Sequence, residues 1–469
     1  MQLRIYKNLA NLLLLFFSVT LTVEAQGLNS TIAFRNVTLI DMTSEQPKTN
    51  MTVIVSGNRI SKIGKNLKTP KNSEVVDASG KFLIPGLWDM HVHVFRNTSK
   101  LPPREDWFPL FIANGVTSVR DMWTKAESMP QMQLWRRQFD EKPGTVPRFA
   151  AVGTVVDAPP FIWKNSDSVT NAEEGRALVR KLKASEIDFL KVYAYLSKES
   201  YFAMVDEAKK LKLPFAGHVP YSITPTEASN AGQKSIEHLW RMRIACSSKE
   251  DKFKNLKTTD FTPALRTELN ESFSEKKCRE VSAVFAKNHT WQVPTITVLR
   301  PKDDLSFTKD DRLRYVREDD KQGWMKFFEG ITPAGREARE VRYQLEIKIL
   351  KIMHNAGVPI LAGTDLGNPF VYAGFSLHDE LELFIQAGLT PFEALKTATV
   401  NPAKYLGMEK SLGTIEKGKL ADLVLLDANP LANISNTRKI NAVVANGRYL
   451  SREFLDKMLS DIEAKAKGQ

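Results

Sequence analysis

Two histidines one residue apart are the first residues of this chain whose spacing suggests chemistry. They lie in WDMHVHV, residues 88–94, directly after the apolar segment FLIPGL, in a chain with only seven histidines. Alternate side chains of a β-strand share a face, so His91 and His93 are expected to point the same way while Val92 packs behind them. Paired imidazoles of this kind are typical ligands of zinc and related metal ions.

Four more residues that can bind metals occur in or at the end of short apolar segments. Lys191 lies in DFLKVY, His218 ends FAGH, His238 ends SIEH and Asp365 ends ILAGTD. An isolated histidine usually has a structural role, and we assign that role to His289 and His354. Placement of the other histidines at the ends of apolar segments favours a metal site.

The sequence predicts a site for two divalent ions, with zinc preferred because imidazole and carboxylate ligands suit it. His91, His93 and Asp365 would hold one ion, and His218 and His238 the other. Coordination positions would remain open for water and substrate.

Two neighbouring cations need a bridging anion, and Lys191 meets this need only as a carbamate formed with CO₂. An ammonium group would repel the ions, whereas the two carbamate oxygens bind both. Burial lowers the pKa of a lysine and supplies the neutral amine that reacts with CO₂. An ordinary ion pair with a carboxylate such as Asp188 is the alternative.

Eight short apolar segments alternate with amphipathic or charged stretches and define the elements that must position these residues. The segments are FLIPGLWDMHVH, NGVTSVRDM, RFAAVGTVV, DFLKVYAY, LPFAGHVP, SIEHLW, WQVPTITV and VPILAGTD. This alternation over roughly 300 residues predicts a (β/α)₈ TIM barrel, whose active sites form at the carboxyl ends of its strands. A doubly wound open sheet is the alternative, without a glycine-rich phosphate loop to support nucleotide binding.

Both ends of the chain have strand-like alternation that differs from the middle. STIAFRNVTLID and MTVIVSGNRISKIG near the start are matched by GTIEKGKLADLVLLDANP and INAVVANGRYL near the end. The Asn446-Gly447 pair indicates a tight hairpin. We therefore expect a small composite β-sandwich domain from residues 26–85 and 408–450, a barrel domain at 86–407, and a C-terminal helix at 451–469.

The first 25 residues have the pattern of a secretory signal peptide. Arg4 and Lys7 precede an apolar run, and Val23 and Ala25 occupy the positions that a signal peptidase recognises. This predicts export to the periplasm or the medium without stable membrane insertion after cleavage, and a retained anchor is the alternative. Whether Cys246 and Cys278 form a disulfide stays open.

The composition indicates a globular protein with a charged surface. The chain is 42% apolar and 26% charged, and its net charge of +12 is spread along the sequence. It has no basic block interleaved with aromatic residues, so no nucleic-acid partner is expected. Formation of a homo-oligomer stays open.

Several of these motifs together resemble the amidohydrolase superfamily, from about Ser30 to Leu450. They are PGLWDMHVH, KVY, AGHVP, SIEHLW, GTD, GLTPFEALKTATVNPAKYLG and GTIEKGKLADLVLLDANPL. The chain is most similar to the imidazolonepropionase-like and prolidase-like branch. That resemblance implies a binuclear centre bridged by a carboxylated Lys191, and a composite β domain built from both chain ends.

The resemblance implies a metal-dependent hydrolase of an amide bond, acting on a dipeptide or an N-acyl amino acid. A metal-bridging hydroxide would attack the carbonyl, and Asp365 would act as general base and then as general acid. Tyr193 would contact the substrate, Asp89 would support the ligands by hydrogen bonding, and His378 would either touch substrate or begin a helix. The alternatives are hydrolysis of a cyclic amide, lactone or other ester, and a non-catalytic metal-binding scaffold.

The chain departs from related zinc deaminases, which place a glutamate shortly after the fifth-strand histidine. Here His218 is followed by Val219-Pro220-Tyr221, which argues against base deamination. Specificity is expected in the charged insertions at 241–288 and 301–339, and Arg120 is one candidate for binding a substrate carboxylate.

Overall fold

The computed structural model describes residues 31–95, 103–301 and 306–468. The predicted signal peptide, residues 1–25, lies outside these described residues. The strands are β1 (Thr31–Leu39), β2 (Lys48–Ser56), β3 (Arg59–Lys65), β4 (Glu74–Asp77), β5 (Phe82–Pro85), β6 (Leu87–Val92), β7 (Val116–Asp121), β8 (Arg148–Asp157), β9 (Asp167–Ser168), β10 (Phe189–Val192), β11 (Phe215–Gly217), β12 (Ser235–Glu237), β13 (Trp291–Val293), β14 (Leu423–Leu426), β15 (Ile440–Ala445) and β16 (Arg448–Ser451).

Helices occupy most of the remaining described chain. The α-helices are α1 (Phe108–Ala113), α2 (Met129–Glu141), α3 (Ala172–Ala184), α4 (Lys198–Lys210), α5 (Pro225–Asn230), α6 (Met242–Ala245), α7 (Glu250–Phe253), α8 (Pro263–Glu271), α9 (Glu275–Asn288), α10 (Ile296–Leu299), α11 (Glu318–Glu329), α12 (Pro333–Asn355), α13 (Phe375–Gln386), α14 (Pro391–Thr397), α15 (Val400–Leu406) and α16 (Arg452–Ala466). Short 3₁₀ helices lie at Glu105–Trp107, Ala126–Ser128, Thr258–Asp260, Phe307–Lys309, Asp311–Tyr315 and Ile434–Arg438.

Both ends of the chain join in one mostly antiparallel sheet of eight strands. Its order is β16-β15-β14-β5-β1-β2-β3, and β4 pairs in parallel with β1. Phe34, Val53, Leu83, Leu425 and Val444 bury their side chains in a common core on this sheet. The β15–β16 hairpin turns at the predicted Asn446-Gly447 pair, whose φ values of 46° and 84° suit a tight two-residue turn.

Seven parallel strands form the predicted barrel. β6, β7, β8, β10, β11, β12 and β13 follow one another in chain order, and the short β9 pairs with β8. The eighth segment, residues 358–366, makes isolated parallel bridges to both edges, from Ile360 to Gln292 and from Leu366 to Val92. The (β/α)₈ class is therefore confirmed, with a closing segment that is less regular than the sequence predicts.

The predicted first barrel strand is two strands that belong to different sheets. Phe82–Pro85 pairs with β14 in the end sheet, and Leu87–Val92 pairs with β7 in the barrel. Gly86 separates them and donates its N–H to the carbonyl of Asp422 at 2.7 Å. A Cβ at Gly86 would lie 2.3 Å from Thr117 Oγ1, so the close approach of these chains requires glycine.

The two long insertions are largely helical. The first contains α6 to α9 and a disulfide between Cys246 and Cys278, which settles the pairing that the sequence leaves open. The second contains two 3₁₀ helices and α11, and α12 begins within its predicted range. Among the helices of the described residues, none has the length and apolar character needed to cross a membrane.

Replacing Gly86 by alanine should destabilise the fold, because the added methyl group has no space beside Thr117. We expect a loss of about 1–3 kcal/mol in the free energy of unfolding, as for other overpacked sites. The measurement is the midpoint of urea or thermal unfolding. Gly323→Ala is the control, since its Cβ would meet nothing within 4 Å in α11. Equal unfolding midpoints for Gly86→Ala and Gly323→Ala would contradict the conclusion that residue 86 must be glycine.

Candidate metal centre

Six predicted ligands converge at the carboxyl ends of the barrel strands. Chain positions almost 300 residues apart meet here because parallel strands end on the same face. The six are His91 in β6, His93 just after it, Lys191 in β10, His218 after β11, His238 after β12, and Asp365 in the closing segment.

His91, His93 and Asp365 form a group suited to one ion. Their ligand atoms all lie within 4.8 Å of one another. Asp365 Oδ1 is 3.3 Å from His91 Nε2 and 3.1 Å from His93 Nε2. Ligands at ~2.0 Å from a tetrahedral zinc ion are ~3.3 Å apart, so these separations fit zinc coordination.

His218 and His238 lie next to each other, edge to face, and His238 also lies beside His91. The ring centroids of His218 and His238 are 5.1 Å apart. Both ring nitrogens of His218 are buried and have no hydrogen-bond partner among the described residues. Buried imidazole nitrogens without a partner are costly, and a metal ion would satisfy one of them. The donor set therefore fits a second divalent ion.

The His218 ring is held between two aromatic side chains. It stacks on Tyr193 at a centroid distance of 3.9 Å and on Trp240 at 4.2 Å. Trp240 Nε1 in turn donates to the carbonyl of Val219 at 3.0 Å. This packing fixes the plane of the imidazole and leaves its edge for ligation.

The environment of His91, His218 and His238 favours the neutral imidazole that metal binding requires. Burial lowers the pKa values of His91 and His218 well below the usual range, and nearby positive charges lower them further. Burial also lowers the pKa of His238, to about 4, against the opposing charge of Asp365. The nitrogen lone pairs are therefore available at neutral pH.

Lys191 is almost completely buried at the middle of the group. Its Nζ lies 3.2 Å from His91 Nε2 and 3.5 Å from His93 Nε2. Burial lowers the pKa of this amine to about 8, although the carboxylates of Asp365 and Glu237 oppose the shift. The ion pair with Asp188 considered from the sequence is not formed, since Asp188 binds Arg136 at 2.6 Å.

Asp365 is held as a carboxylate. Burial alone would raise its pKa, but the charge of His238 and the hydrogen bond with His93 outweigh burial and hold the pKa well below the usual range. Asn368 donates to Asp365 Oδ2 at 2.8 Å. The φ of 56° at Asp365 is left-handed backbone, which aspartate tolerates better than most residues.

A buried carboxylate that sequence reasoning missed orients His91. Glu237 Oε2 lies 2.7 Å from His91 Nδ1 and accepts a 2.8 Å hydrogen bond from Arg120 Nη2. Since the carboxylate is an acceptor, Nδ1 carries the proton and Nε2 presents its lone pair to the metal. Ser235 donates to Glu237 Oε1 at 2.6 Å. The sequence contains a signal for this role, because Ser235 and Glu237 are two residues apart on the strand before His238 and their side chains therefore share a face.

Arg120 is therefore excluded as the group that binds a substrate carboxylate. Its side chain is fully buried beneath the centre, where Nε donates to the carbonyl of Met90 at 2.6 Å. Its other donors bind Glu237, Ser235 and Tyr405. The guanidinium supports the ligands from below and does not reach the cavity.

His238 is oriented by a second set of hydrogen bonds. Its Nδ1 lies 2.7 Å from Thr295 Oγ1, which leaves Nε2 for a metal ion. Both residues have left-handed φ values, 61° and 49°, which cost about 1–2 kcal/mol each for such side chains. Glu380 secures the turn after Thr295 by accepting from the backbone N–H groups of Ile296 and Thr297 at 2.9 and 2.8 Å.

Asp89 connects the first strand to the closing segment. It accepts from the N–H of His91 at 3.1 Å and from the N–H and hydroxyl of Thr364 at 3.0 and 2.6 Å. Burial raises the pKa of Asp89 to about 7. These bonds fix the backbone that carries both His91 and Asp365.

A cavity of 480 Å³ opens above the centre. His93, Lys191, His218, His238 and Asp365 line its floor. Aromatic side chains make up much of its wall, namely Phe95, Trp107, Trp123, Trp163, Tyr193, Trp240, Tyr315, Trp324, Tyr372 and Phe375. Such a cavity suits a small molecule with a large apolar portion.

The two insertions differ in their contribution to this cavity. The second supplies Tyr315, Asp320 and Trp324 to the lining, whereas no lining residue comes from the described residues 241–288. Tyr193 lines the cavity too, and its hydroxyl accepts from Trp163 Nε1 at 2.8 Å. Of the two insertions in which specificity was expected, only the second therefore contributes side chains to the cavity lining.

His378 does not belong to the site. It is buried in α13, where Nδ1 lies 2.9 Å from Thr437 Oγ1 and Nε2 lies 3.1 Å from the carbonyl of Asn114. Both ring nitrogens therefore have partners that join α13 to the end domain and the barrel. The expected substrate contact is wrong because His378 faces these neighbours and not the cavity.

Comparison with known families agrees with this geometry. Residues 82–450 match the amidohydrolase family, a span that covers most of the chain. The chain belongs to the amidohydrolase family. The resemblance stated from the motifs is thereby confirmed.

This amidohydrolase is similar over nearly its whole length to proteins with different names. It is 22% identical over 476 residues to a 5-methylthioadenosine/S-adenosylhomocysteine deaminase of Thermoanaerobacter pseudethanolicus, with 93% of this chain and 99% of that protein covered. It is 21% identical to an imidazolonepropionase of Fusobacterium nucleatum, over 94% of this chain and 99% of that one.

A solved structure of a Xaa-Pro dipeptidase with bound methionine shares the fold, with a TM-score of 0.65, 21% identity, and coverage of 90% of this chain and 100% of that chain. The family match and the geometry together describe an amidohydrolase-family chain with a His-His-Asp cluster that could hold a metal ion.

Glu237→Gln should weaken metal binding by this amidohydrolase by about 10- to 100-fold, the usual effect of losing a partner that orients a ligand. The side-chain amide of the variant is uncharged, so it stabilises the proton on His91 Nδ1 less than the carboxylate does. Chelator competition measures the dissociation constant. Glu227→Gln is the control, because Glu227 caps α5 and binds Lys198 away from the centre. Unchanged affinity in Glu237→Gln would contradict the assigned role.

Proposed function

We propose that this amidohydrolase is an exported, binuclear zinc enzyme that hydrolyses the amide bond of a dipeptide or an N-acyl amino acid. The observation that carries the proposal is the placement of Lys191 Nζ between two histidines, next to Asp365 and beneath an aromatic cavity.

The metal-binding residues would act in two groups. His91, His93 and Asp365 would hold one ion, and His218 and His238 the other. When bound, the ions would lower the pKa of a water molecule and polarise the scissile carbonyl.

Lys191 would bridge the two groups as a carbamate. Its neutral amine attacks the carbon of CO₂, a nitrogen–carbon bond forms, and one amine proton leaves to solvent. The lowered pKa supports this step, because at pH 7 about 10% of an amine of pKa 8 is neutral, against about 0.03% for an unperturbed lysine. One C–O π bond of CO₂ opens as the nitrogen–carbon bond forms, so the product would carry a single negative charge shared by two oxygens, in place of a cation among the metal ligands.

Asp365 would move the proton. Its carboxylate is ionised and 14% exposed at the floor of the cavity. It would accept a proton from the attacking water and then donate it to the leaving nitrogen, since an amine leaves far more readily once protonated.

Tyr193 would position the substrate carbonyl or carboxylate. Because its hydroxyl accepts the Trp163 N–H, its own proton remains for a substrate oxygen. Burial raises the pKa of Tyr193 above its ordinary value, so the phenol stays protonated and can donate.

Base deamination, the activity named for one relative, is less well supported. The first glutamate after His218 is Glu227, whose side chain closes the capping box of α5 and binds Lys198 at 2.7 Å. It therefore lies outside the cavity and has no access to a substrate ring.

Export is supported by two features. The first 25 residues have the pattern of a signal peptide. The paired Cys246 and Cys278 are consistent with an oxidising compartment, where disulfides persist.

The zinc-loaded mature protein should hydrolyse members of a panel of dipeptides and N-acyl amino acids. Asp365→Asn should lose at least about 100-fold in kcat, because it removes both a ligand and the proton-transfer group. Released amine is the readout, with zinc content measured for each variant. Cyclic amides, lactones and esters complete the panel. Activity confined to them would replace the amide proposal, and equal inactivity of both proteins would favour a non-catalytic scaffold.

Lys191 should give a carbamate signal when the zinc-loaded protein is incubated with ¹³C-bicarbonate. Carbon-13 NMR should detect one protein-bound carbamate carbon in the wild type and none in Lys191→Arg, because the guanidinium does not react with CO₂. At equal concentrations of dissolved CO₂, the signal should form faster at pH 8 than at pH 6.5, since raising the pH increases the neutral fraction of the amine. A wild-type spectrum without this signal would contradict the bridge.

A further inference from the structure

One arginine on the cavity wall has guanidinium nitrogens without partners. Arg342 of α12 lines the cavity together with His238 and Asp365. Its Nε donates to Glu346 Oε1 at 2.8 Å. In the described part of the chain, its two terminal nitrogens make no hydrogen bond or ion pair. Two donors of fixed geometry are therefore available to an anion.

The charges around Arg342 leave an excess of positive charge. Glu346 is buried and is shared with Arg243, whose Nε lies 3.6 Å from the same Oε1. One carboxylate thus faces two guanidinium groups. Arg243 has a further neutral partner, since its Nη1 donates to Asn270 Oδ1 at 3.1 Å. Because the Arg342 side chain is 41% exposed, an anion that enters the cavity can reach its terminal nitrogens.

The other arginine of the cavity is already neutralised. Arg104 binds Asp106 at 2.8 Å and Asp320 at 2.6 Å, and stacks over Trp107. Its charge is matched by two carboxylates, so it has little remaining capacity for an anionic ligand. Of the two arginines that line the cavity, Arg342 is therefore the one whose terminal nitrogens have no partner in the described chain.

The aromatic wall defines the other part of the ligand. Trp123 and Trp163 pack edge to face at 5.7 Å, and Trp324 and Tyr372 do so at 5.4 Å. These rigid rings offer apolar surface to a large apolar or aromatic group at low entropic cost.

We propose that Arg342 binds the free carboxylate of the substrate, and that preferred substrates are N-acyl amino acids or dipeptides with a large apolar side chain. This inference rests on the proposed amide hydrolysis. Arg342 acts in specificity: it anchors the carboxylate while the aromatic wall receives the side chain and the scissile carbonyl lies over the metal centre.

A matched pair of amides tests the anchor. N-acetyl-L-phenylalanine and N-(2-phenylethyl)acetamide share the amide and the phenyl ring, and only the first has a carboxylate. Arg342→Gln should lower kcat/KM for the acid by about 10- to 100-fold, mainly through KM, as expected for losing hydrogen bonds to a charged group. It should leave kcat/KM for the neutral amide within about twofold, because that substrate makes no such bonds.

Arg339→Gln is the matched control. It removes the same charge from the same helix, where Arg339 stacks over Phe327 and does not line the cavity. It should leave both substrates unaffected. Equal losses on acid and neutral amide in Arg342→Gln would assign Arg342 a structural role and overturn the anchor.

Calorimetric binding of N-acetyl-L-phenylalanine to the zinc-loaded proteins separates the anchor from the hydrolysis. If the wild type hydrolyses no member of the dipeptide and N-acyl amino acid panel, the proposed function fails, and binding that is at least tenfold weaker in Arg342→Gln than in Arg339→Gln still supports the anchor. Equal affinities in the two variants would overturn it whether or not hydrolysis occurs.

Discussion

The burial of ionisable side chains at the mouth of the barrel is the constraint on which the structure depends. Lys191, His91 and His218 are each at most 3% exposed, in surroundings that disfavour their charged forms. Burial of such groups is unfavourable unless each finds a partner. Hydrogen bonds satisfy some of them, whereas the ring nitrogens of His218 have no partner among the described residues, and a bound metal ion would satisfy one of them.

The residues that pack beneath the metal-binding side chains determine the orientation of those side chains. Glu237 and Arg120 fix the tautomer of His91, and Thr295 does the same for His238. Asp89 joins the strand that carries His91 to the segment that carries Asp365. His238, Thr295 and Asp365 all have left-handed backbone, which also occurs elsewhere in the described chain, for example at Met42 and Glu186. Backbone held in a rarely populated conformation is often found at functional sites.

The sequence predicts the barrel and its ligand positions well because both follow from local patterns. The period-two spacing of His91 and His93 and the apolar segments before His218 and Asp365 are each visible within a few residues. The division of the first strand at Gly86 depends on its approach to Thr117, which no local pattern records.

Residues whose roles depend on packing between elements were harder to predict. His378 lies in a segment suited to either a ligand or a helix start, and only its contacts with Thr437 and Asn114 decide between them. Arg120 was one candidate for binding a substrate carboxylate, but its side chain is fully buried. Arg342 has no sequence signal of its own, since its access to the cavity depends on how α12 packs after the second insertion.

The central claim is that this barrel mouth binds two metal ions bridged through Lys191. Anomalous diffraction at the zinc edge from crystals grown with zinc and bicarbonate tests it most directly. The account predicts two peaks per chain, one among His91, His93 and Asp365 and one beside His218 and His238, with electron density for a carboxylated Lys191 between them. A single peak, or two peaks with an unmodified lysine, would contradict it.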